Sequence, residues 1–334
     1  MTITVAVVGV GHIGLIHARC YQADERAELV AVCDILPDVA KRVGESFGVP
    51  WFGSVDQLLA ANLGIEAVSV CTAGEENGGD HYVPTMQLLR AGIPVLGEKP
   101  ISNRVEEARE MVALAADMGI AYGVNLNHRF TPAARRARSW MKEGRVGEVN
   151  LCNMTMWINN PNESSPHFHM RALHPHSIDV MRYFCGDVGW AQAFFKKGPG
   201  RRIWSNVQAN MLFRSGALGH LTGSYDAGAS YGLETCEVVG SEGRFVISNA
   251  CERLAFFPRG SVAVETYDYL GEMKGFQDTF ASRIAAWLSD LEAKVPPSDV
   301  DGKAADALAA QLVIEACISS FETGAVVEVE EVAR

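Results

Sequence analysis

The sequence has no run of basic residues, no Cys-x-x-Cys pair, no uncharged apolar stretch approaching the roughly 18 residues of a membrane span, and no internal repeat of roughly 20 to 50 residues. Each absence removes a class of function. Lys and Arg number 29 against 40 Asp and Glu, a net charge of -11, so the surface repels phosphate backbones and anionic lipid. No nucleic-acid or membrane partner is expected. The eight cysteines are widely spaced, and Cys33, Cys71 and Cys236 sit in apolar strand-like runs. They read as reduced core thiols, which points to the cytoplasm. Met1 to Val10 carry no basic leader and run into a glycine motif, so they read as a buried strand, not a signal peptide.

What is present is a chain of 334 residues, 48% apolar, long enough for two hydrophobic cores. In the first 125 residues short apolar runs (2–8, 28–33, 67–71, 95–97, 121–124) alternate with helical patterns (12–23, 37–47, 55–61, 81–91, 105–118). That alternation predicts right-handed crossovers and a doubly wound parallel sheet. After a helix over 132–143 and a strand over 148–158, a helix over 174–184 precedes strands with antiparallel spacing and turn signals, and two helices (276–293 and 302–322) close the chain. The fold class expected is an α/β Rossmann domain, residues 1–125, followed by an α+β domain, residues 126–334, with a large open-faced, mainly antiparallel sheet. Strands such as that carrying Val207, Ala209 and Met211 in alternation belong to a sheet whose second face needs a cover, which predicts a homodimer or homotetramer.

Gly9-Val10-Gly11-His12-Ile13-Gly14 follows the first strand and opens the first helix. Gly9 permits a tight turn, Gly11 lets a pyrophosphate approach the backbone, and Gly14 lets helix pack on strand. The helix start at His12 and Ile13 offers unpaired N–H groups to phosphate. Asp34 ends the second strand 20 residues after Gly14, where a carboxylate accepts ribose hydroxyls and repels a 2'-phosphate. NAD is the expected cofactor; Lys41 and Arg42 nearby leave NADP as the alternative.

Glu98-Lys99-Pro100 ends the fifth strand, at the edge where ligands of such sheets bind. Together with the glycine motif, Asp34, Val70-Cys71-Thr72, His81, Asn127-His128-Arg129-Phe130-Thr131-Pro132 and His176-Ser177-Ile178-Asp179, it resembles the glucose-fructose oxidoreductase and inositol dehydrogenase family (Gfo/Idh/MocA) over nearly the whole chain. The resemblance implies NAD(P)-dependent oxidation or reduction at a carbon of a small-molecule carbohydrate or cyclitol. It implies Lys99 and His176 as catalytic residues, and cofactor contacts from Cys71, Thr72, His81, Glu98, Lys99 and Pro100. The chemistry agrees: a neutral imidazole accepts the hydroxyl proton as the ketone forms, and a lysine orients that hydroxyl. Asp179 is expected to orient or cap beside the substrate. Two further readings stand beside dehydrogenation: a glycosidase that uses NAD transiently for oxidation and elimination, and a non-catalytic dinucleotide sensor.

One position departs from the family's pattern. An acidic residue commonly stands four places before the catalytic histidine, and here that place is Ala172. Asn127, His169 and His174 are the candidates to supply the missing substrate contact. His174 is preferred, standing in an irregular stretch because Pro175 disfavours helix before it. The pairs His167-Phe168-His169 and His174-Pro175-His176 invite a metal reading, but no cysteine is near and no metal is expected. Trp157, Phe168, Trp204 and Tyr231 read as strand-packing aromatics before sugar-stacking ones.

Overall fold

A computed structural model of the chain describes residues 2–75, 80–227, 233–249, 252–273 and 275–332. They form two compact units, Met1–Leu126 with Phe280–Leu308, and Asn127–Thr279 with Ala309–Arg334.

In the first unit β1 (Ile3–Val8), α1 (His12–Ala23), β2 (Ala27–Cys33), α2 (Pro37–Phe47), β3 (Trp51–Phe52), α3 (Val55–Ala60), β4 (Ala67–Val70), α4 (Tyr82–Arg90), β5 (Val95–Gly97), α5 (Val105–Met118) and β6 (Tyr122–Val124) follow in order. The strands make a six-stranded parallel sheet, β3-β2-β1-β4-β5-β6. Strands β1 and β4, rich in β-branched residues, are almost wholly buried, the run expected when helices cover both faces. The order reverses between β1 and β4, which places a crevice at their carboxyl ends.

The closing segment corrects the expected division, which assigned everything after residue 125 to the second domain. Residues 280–308 belong to the first unit. Ile284, Trp287 and Leu288, one face of α8 (Phe276–Glu292), share a core with Val5, Val7, Val32 and Leu96, as does Val300. Beyond the Pro296-Pro297 break, Gly302 O accepts from Val124 N at 2.9 Å and extends the edge at β6. A stripe at i, i+3, i+4 shows that a helix needs an apolar partner, not which partner.

The second unit holds α6 (Pro132–Lys142), β7 (Val149–Trp157), α7 (Phe168–Cys185), β8 (Val188–Lys196), β9 (Asn206–Phe213), β10 (Leu218–Ser224), β11 (Leu233–Gly240), β12 (Gly243–Ser248), β13 (Arg253–Pro258), β14 (Glu265–Asp268), most of α9 (Ala304–Thr323) and β15 (Val327–Glu328). Its nine-stranded sheet runs β14-β13-β12-β11-β7-β10-β9-β8-β15, antiparallel except for the β7–β10 pair. Inward residues such as Val207, Ala209 and Met211 are buried, and α7 packs on this side against β7, β9, β10 and β11. The opposite face exposes Leu151, Trp157, Trp190, Phe194, Leu212 and Leu218. Helix α9 is long and apolar enough to cross a membrane by composition, yet 67% of its apolar window is buried within the fold.

Candidate active site

The turn from β1 into α1 is built by contact. Gly9 has φ +80°, and a Cβ there would lie 2.7 Å from the Cys71 carbonyl carbon and Thr72 N; one on Gly14 would meet Gly9 O at 1.9 Å. Beside Gly11 there is open space. Helix α1 starts with no side-chain cap and no acidic residue in its first turn, so the leading N–H groups at His12, Ile13 and Gly14 have no helical partner. Asp34 braces this turn from the end of β2, with Oδ2 accepting from Val10 N at 2.9 Å and Oδ1 from Leu36 N at 3.0 Å. An open backbone beside Gly11, an uncapped positive helix end and a carboxylate at the neighbouring strand end fit a dinucleotide.

Along the same strand edge stand Cys71, Thr72, His81, Glu98, Lys99 and Pro100. Burial pushes the Cys71 thiol well up, so it is a packing group against Gly14. The Thr72 hydroxyl donates its one hydrogen to Asp80 O at 2.7 Å, so the 2.8 Å contact with His81 Nδ1 requires that nitrogen to donate. His81 Nε2 is then a buried acceptor without a hydrogen-bond partner. Burial pushes its pKa down to about 4, so the ring is neutral. Lys99 follows β5; burial lowers its pKa, against which the Glu98 carboxylate raises it. Burial alone would push the Glu98 carboxyl up, but the hydrogen bond and charge of His17, the Lys99 charge and a hydrogen bond from Asn125 hold it below the ordinary range.

In the second unit His176 lies inside α7, its ring stacked on His128 with centroids 4.2 Å apart and planes at 10°. Phe276 meets both rings edge-on. His128 Nδ1 is 2.8 Å from Glu234 of β11. Arg129 donates from Nε to Asp179 Oδ2 at 2.7 Å and from Nη2 to Oδ1, tying the 3-10 turn Asn127–Phe130 to α7. Asp179, expected to orient or cap beside the substrate, thus holds Arg129 with both carboxylate oxygens. Asn127 donates from Nδ2 to Thr279 Oγ1 at 2.6 Å, while its Oδ1 is buried with no hydrogen-bond partner.

The placement of His174 is also corrected. Helix α7 runs unbroken from Phe168 to Cys185 with Pro175 inside it, so His174 is helical and fully buried. Its Nδ1 meets Ser177 Oγ at 3.0 Å and its Nε2 meets His169 Nε2 at 3.1 Å. Burial pushes His169 down to about 3 and His174 well below its ordinary value. Gly223 of β10 makes room for the ring, since a Cβ there would lie 2.1 Å from His174 Nε2. Packing against Met156, Phe168 and Tyr225 places Ala172 in the same core. His169 and His174 therefore bond to each other inside the helix's buried side. Among the described residues no group of three His, Cys, Asp or Glu is placed to hold a metal ion. Trp204 packs edge-on against Phe321 and Phe168 is buried; Tyr231 lies outside the described residues.

Sequence reasoning gave no role to His17, His128 or Glu234. His17 carried one signal: a histidine one turn after Gly14 on a helix that must pack against the sheet.

Residues 3–126 match the oxidoreductase family with an NAD-binding Rossmann fold, and residues 134–246 match the GFO/IDH/MocA C-terminal domain. The chain is 26% identical over 326 residues to inositol 2-dehydrogenase of Rhizobium meliloti, covering 92% of this chain and 95% of that protein. A levoglucosan dehydrogenase in complex with NADH and levoglucosan superimposes with TM-score 0.87 at 20% identity, covering 99% of this chain and 100% of that one. An inositol dehydrogenase homologue from Azotobacter vinelandii, complexed with NADH and myo-inositol, does so with TM-score 0.85 at 20% identity and 98% of each chain. With both family domains matched in order over more than half its length, this chain belongs to the Gfo/Idh/MocA oxidoreductase family.

Proposed function

We propose that the protein is an NAD-dependent dehydrogenase that oxidises a secondary hydroxyl of a sugar, sugar derivative or inositol, or runs the reverse reduction. The observation that carries this reading is the convergence of the braced glycine turn and Lys99 on one strand edge, in a chain whose second unit presents His176 on a rigid ring stack. Bound NAD supplies the acceptor for the hydrogen and electron pair leaving the carbinol carbon. Lys99 donates a hydrogen bond to the substrate oxygen and offsets charge as it develops there. The His176 imidazole takes the hydroxyl proton, so the O–H bond breaks as the C=O bond forms. Asp34 supports NAD over NADP, because its carboxylate repels a 2'-phosphate. Incubating the protein with NAD and a panel of sugars, inositols and glycosides tests the reading. Net NADH formation with a polyol supports it; glycoside cleavage without net NADH, or binding without turnover, replaces it.

The apolar residues on the open sheet face support a second copy as its cover, in a homodimer or homotetramer. Light scattering at working concentration tests that assembly, and a monomeric mass refutes it. We also place the protein in the cytoplasm, supported by the seven described cysteines, none in a disulfide and six of them buried; cell fractionation checks this.

A further inference from the structure

Behind Lys99 the first unit buries a chain of four polar side chains that the chemistry above does not use. Tyr21 and His17 stand one turn apart on α1, Ser69 lies in β4, and Glu98 follows β5. Tyr21 Oη is 2.8 Å from Ser69 Oγ, Ser69 Oγ is 3.0 Å from His17 Nδ1, and His17 Nε2 is 2.9 Å from Glu98 Oε1. Asn125 Nδ2 donates to the same carboxylate oxygen, and Lys99 N donates to the other at 3.2 Å. All four side chains are buried, three of them completely.

The hydrogens of this chain can be assigned. An ionised carboxylate only accepts, so His17 Nε2 carries a hydrogen. In the neutral ring the lone pair is then on Nδ1, where the Ser69 hydroxyl donates to it and the Tyr21 hydroxyl donates to Ser69. Every hydrogen then points toward Glu98, and no donor or acceptor along the chain is left over. Apolar side chains would fill this space between helix and sheet at less desolvation cost. A row of donors aimed at one carboxylate does what apolar packing cannot: it holds a negative charge in a fixed place beside a lysine.

We propose that Tyr21, Ser69 and His17 are positioning residues for Lys99, acting through Glu98, whose carboxylate they lock in one orientation beside the ammonium. Among the described residues of this unit, the other titratable groups around the cluster are neutral His81 near Lys99 and Glu98, the Cys71 thiol near Glu98 and Tyr21, and Arg283 of α8 and the Cys20 thiol near Tyr21. Assigning Lys99 to the substrate rests on the proposed function; the electrostatic coupling does not, and can be measured without turnover.

The test is trace acetylation of the full-length protein without added NAD across a pH series, reading Lys99 reactivity by peptide mass spectrometry, alongside kinetics on the substrate the panel identifies. In His17→Leu the carboxylate loses a donor and is neutralised more readily, so Lys99 becomes reactive about one pH unit lower, a tenfold gain at fixed pH. Tyr21→Phe and Ser69→Ala shift it less, in the same direction. His17→Gln, whose amide can donate to Glu98 and accept from Ser69, restores the wild-type curve. In kinetics, kcat and its alkaline limb follow the same order. If His17→Leu fails to fold, Tyr21→Phe and Ser69→Ala, each lacking only a hydroxyl, carry the test. An unmoved Lys99 curve in every folded variant overturns the proposal. So does a shift to higher pH, which would make His17 a cation competing with Lys99. A shifted curve in a protein inactive on every polyol sustains the coupling and sinks the proposed dehydrogenase.

Discussion

Replacing Asp179 by Asn keeps the shape of the side chain and removes its charge, which separates a structural carboxylate from one that binds substrate. The Asp179 side chain is 1% exposed and that of Arg129 is 6% exposed, and the pair is bidentate. Removing one partner of such a pair leaves a guanidinium buried without a counter-charge, at a cost of about 3–5 kcal/mol. For a unit of this size each kcal/mol lowers Tm by about 2–4 °C, so the melting point should fall by about 6–20 °C. The i, i+4 pair of Lys41 and Glu45, both side chains more than half exposed at 3.9 Å, is the control: Glu45→Gln should cost under about 0.5 kcal/mol. Asp179→Asn should also lower kcat, because the pair ties the turn carrying His128 to the helix carrying His176. The double replacement Arg129→Met with Asp179→Leu should recover most of the stability, since no charge is then left buried. Calorimetry, guanidinium unfolding and steady-state kinetics on the same preparations decide the matter. A Tm within about 2 °C of wild type together with a raised KM for the sugar would refute the reasoning and return Asp179 to the substrate.

Lys99→Ala and His176→Ala should each fold, bind NADH by fluorescence titration, and lose about 100-fold or more in kcat; near-normal turnover removes that residue from the mechanism. Asp34→Ser should narrow the preference for NAD over NADP, read as the ratio of kcat/KM values, and an intrinsic NADP preference in the wild type sinks the assignment. His174→Ala should act on stability rather than KM, costing about 1–3 kcal/mol because His169 Nε2 loses its partner and Ser177 Oγ keeps only Met156 Sδ; a selective rise in KM with unchanged Tm would contradict its buried placement. Histidines 81, 169 and 174 are held neutral by burial, the first two at about 4 and about 3. The unfolded chain protonates them below about pH 6.5 and so binds more protons than the native state. Stability should therefore be complete above that pH and fall toward pH 4, by at most about 1.4 kcal/mol per pH unit for each histidine. Unfolding free energies that stay flat from pH 7 to 5 would show that these rings protonate in the folded protein.

The cofactor turn was readable because its requirements are local. A positive φ at Gly9 and the clearance between Gly14 and Gly9 O are properties of one short loop, and Asp34 lies at the end of the next strand. Period and residue type likewise determined the parallel sheet, the alternating strands of the second half, and Lys99 at the end of β5, since strands buried on both faces and strands buried on one face have different patterns. What escaped the sequence depends on partners far along the chain. Pro175 argues against helix at His174 by local sterics, yet the helix runs through it, closed over a buried face that bonds His174 to His169 and Ser177. Apolar periodicity in α8 is the same whether Trp287 packs on the first sheet or the second, and only the tertiary structure assigns residues 280–308 to the first unit. Hydrogen-bond partners such as His17 with Glu98, His128 with Glu234 and Arg129 with Asp179 are separated by 81, 106 and 50 residues. A buried polar atom needs some partner wherever it lies, so sequence announces the need, and only the fold brings a particular carboxylate within reach.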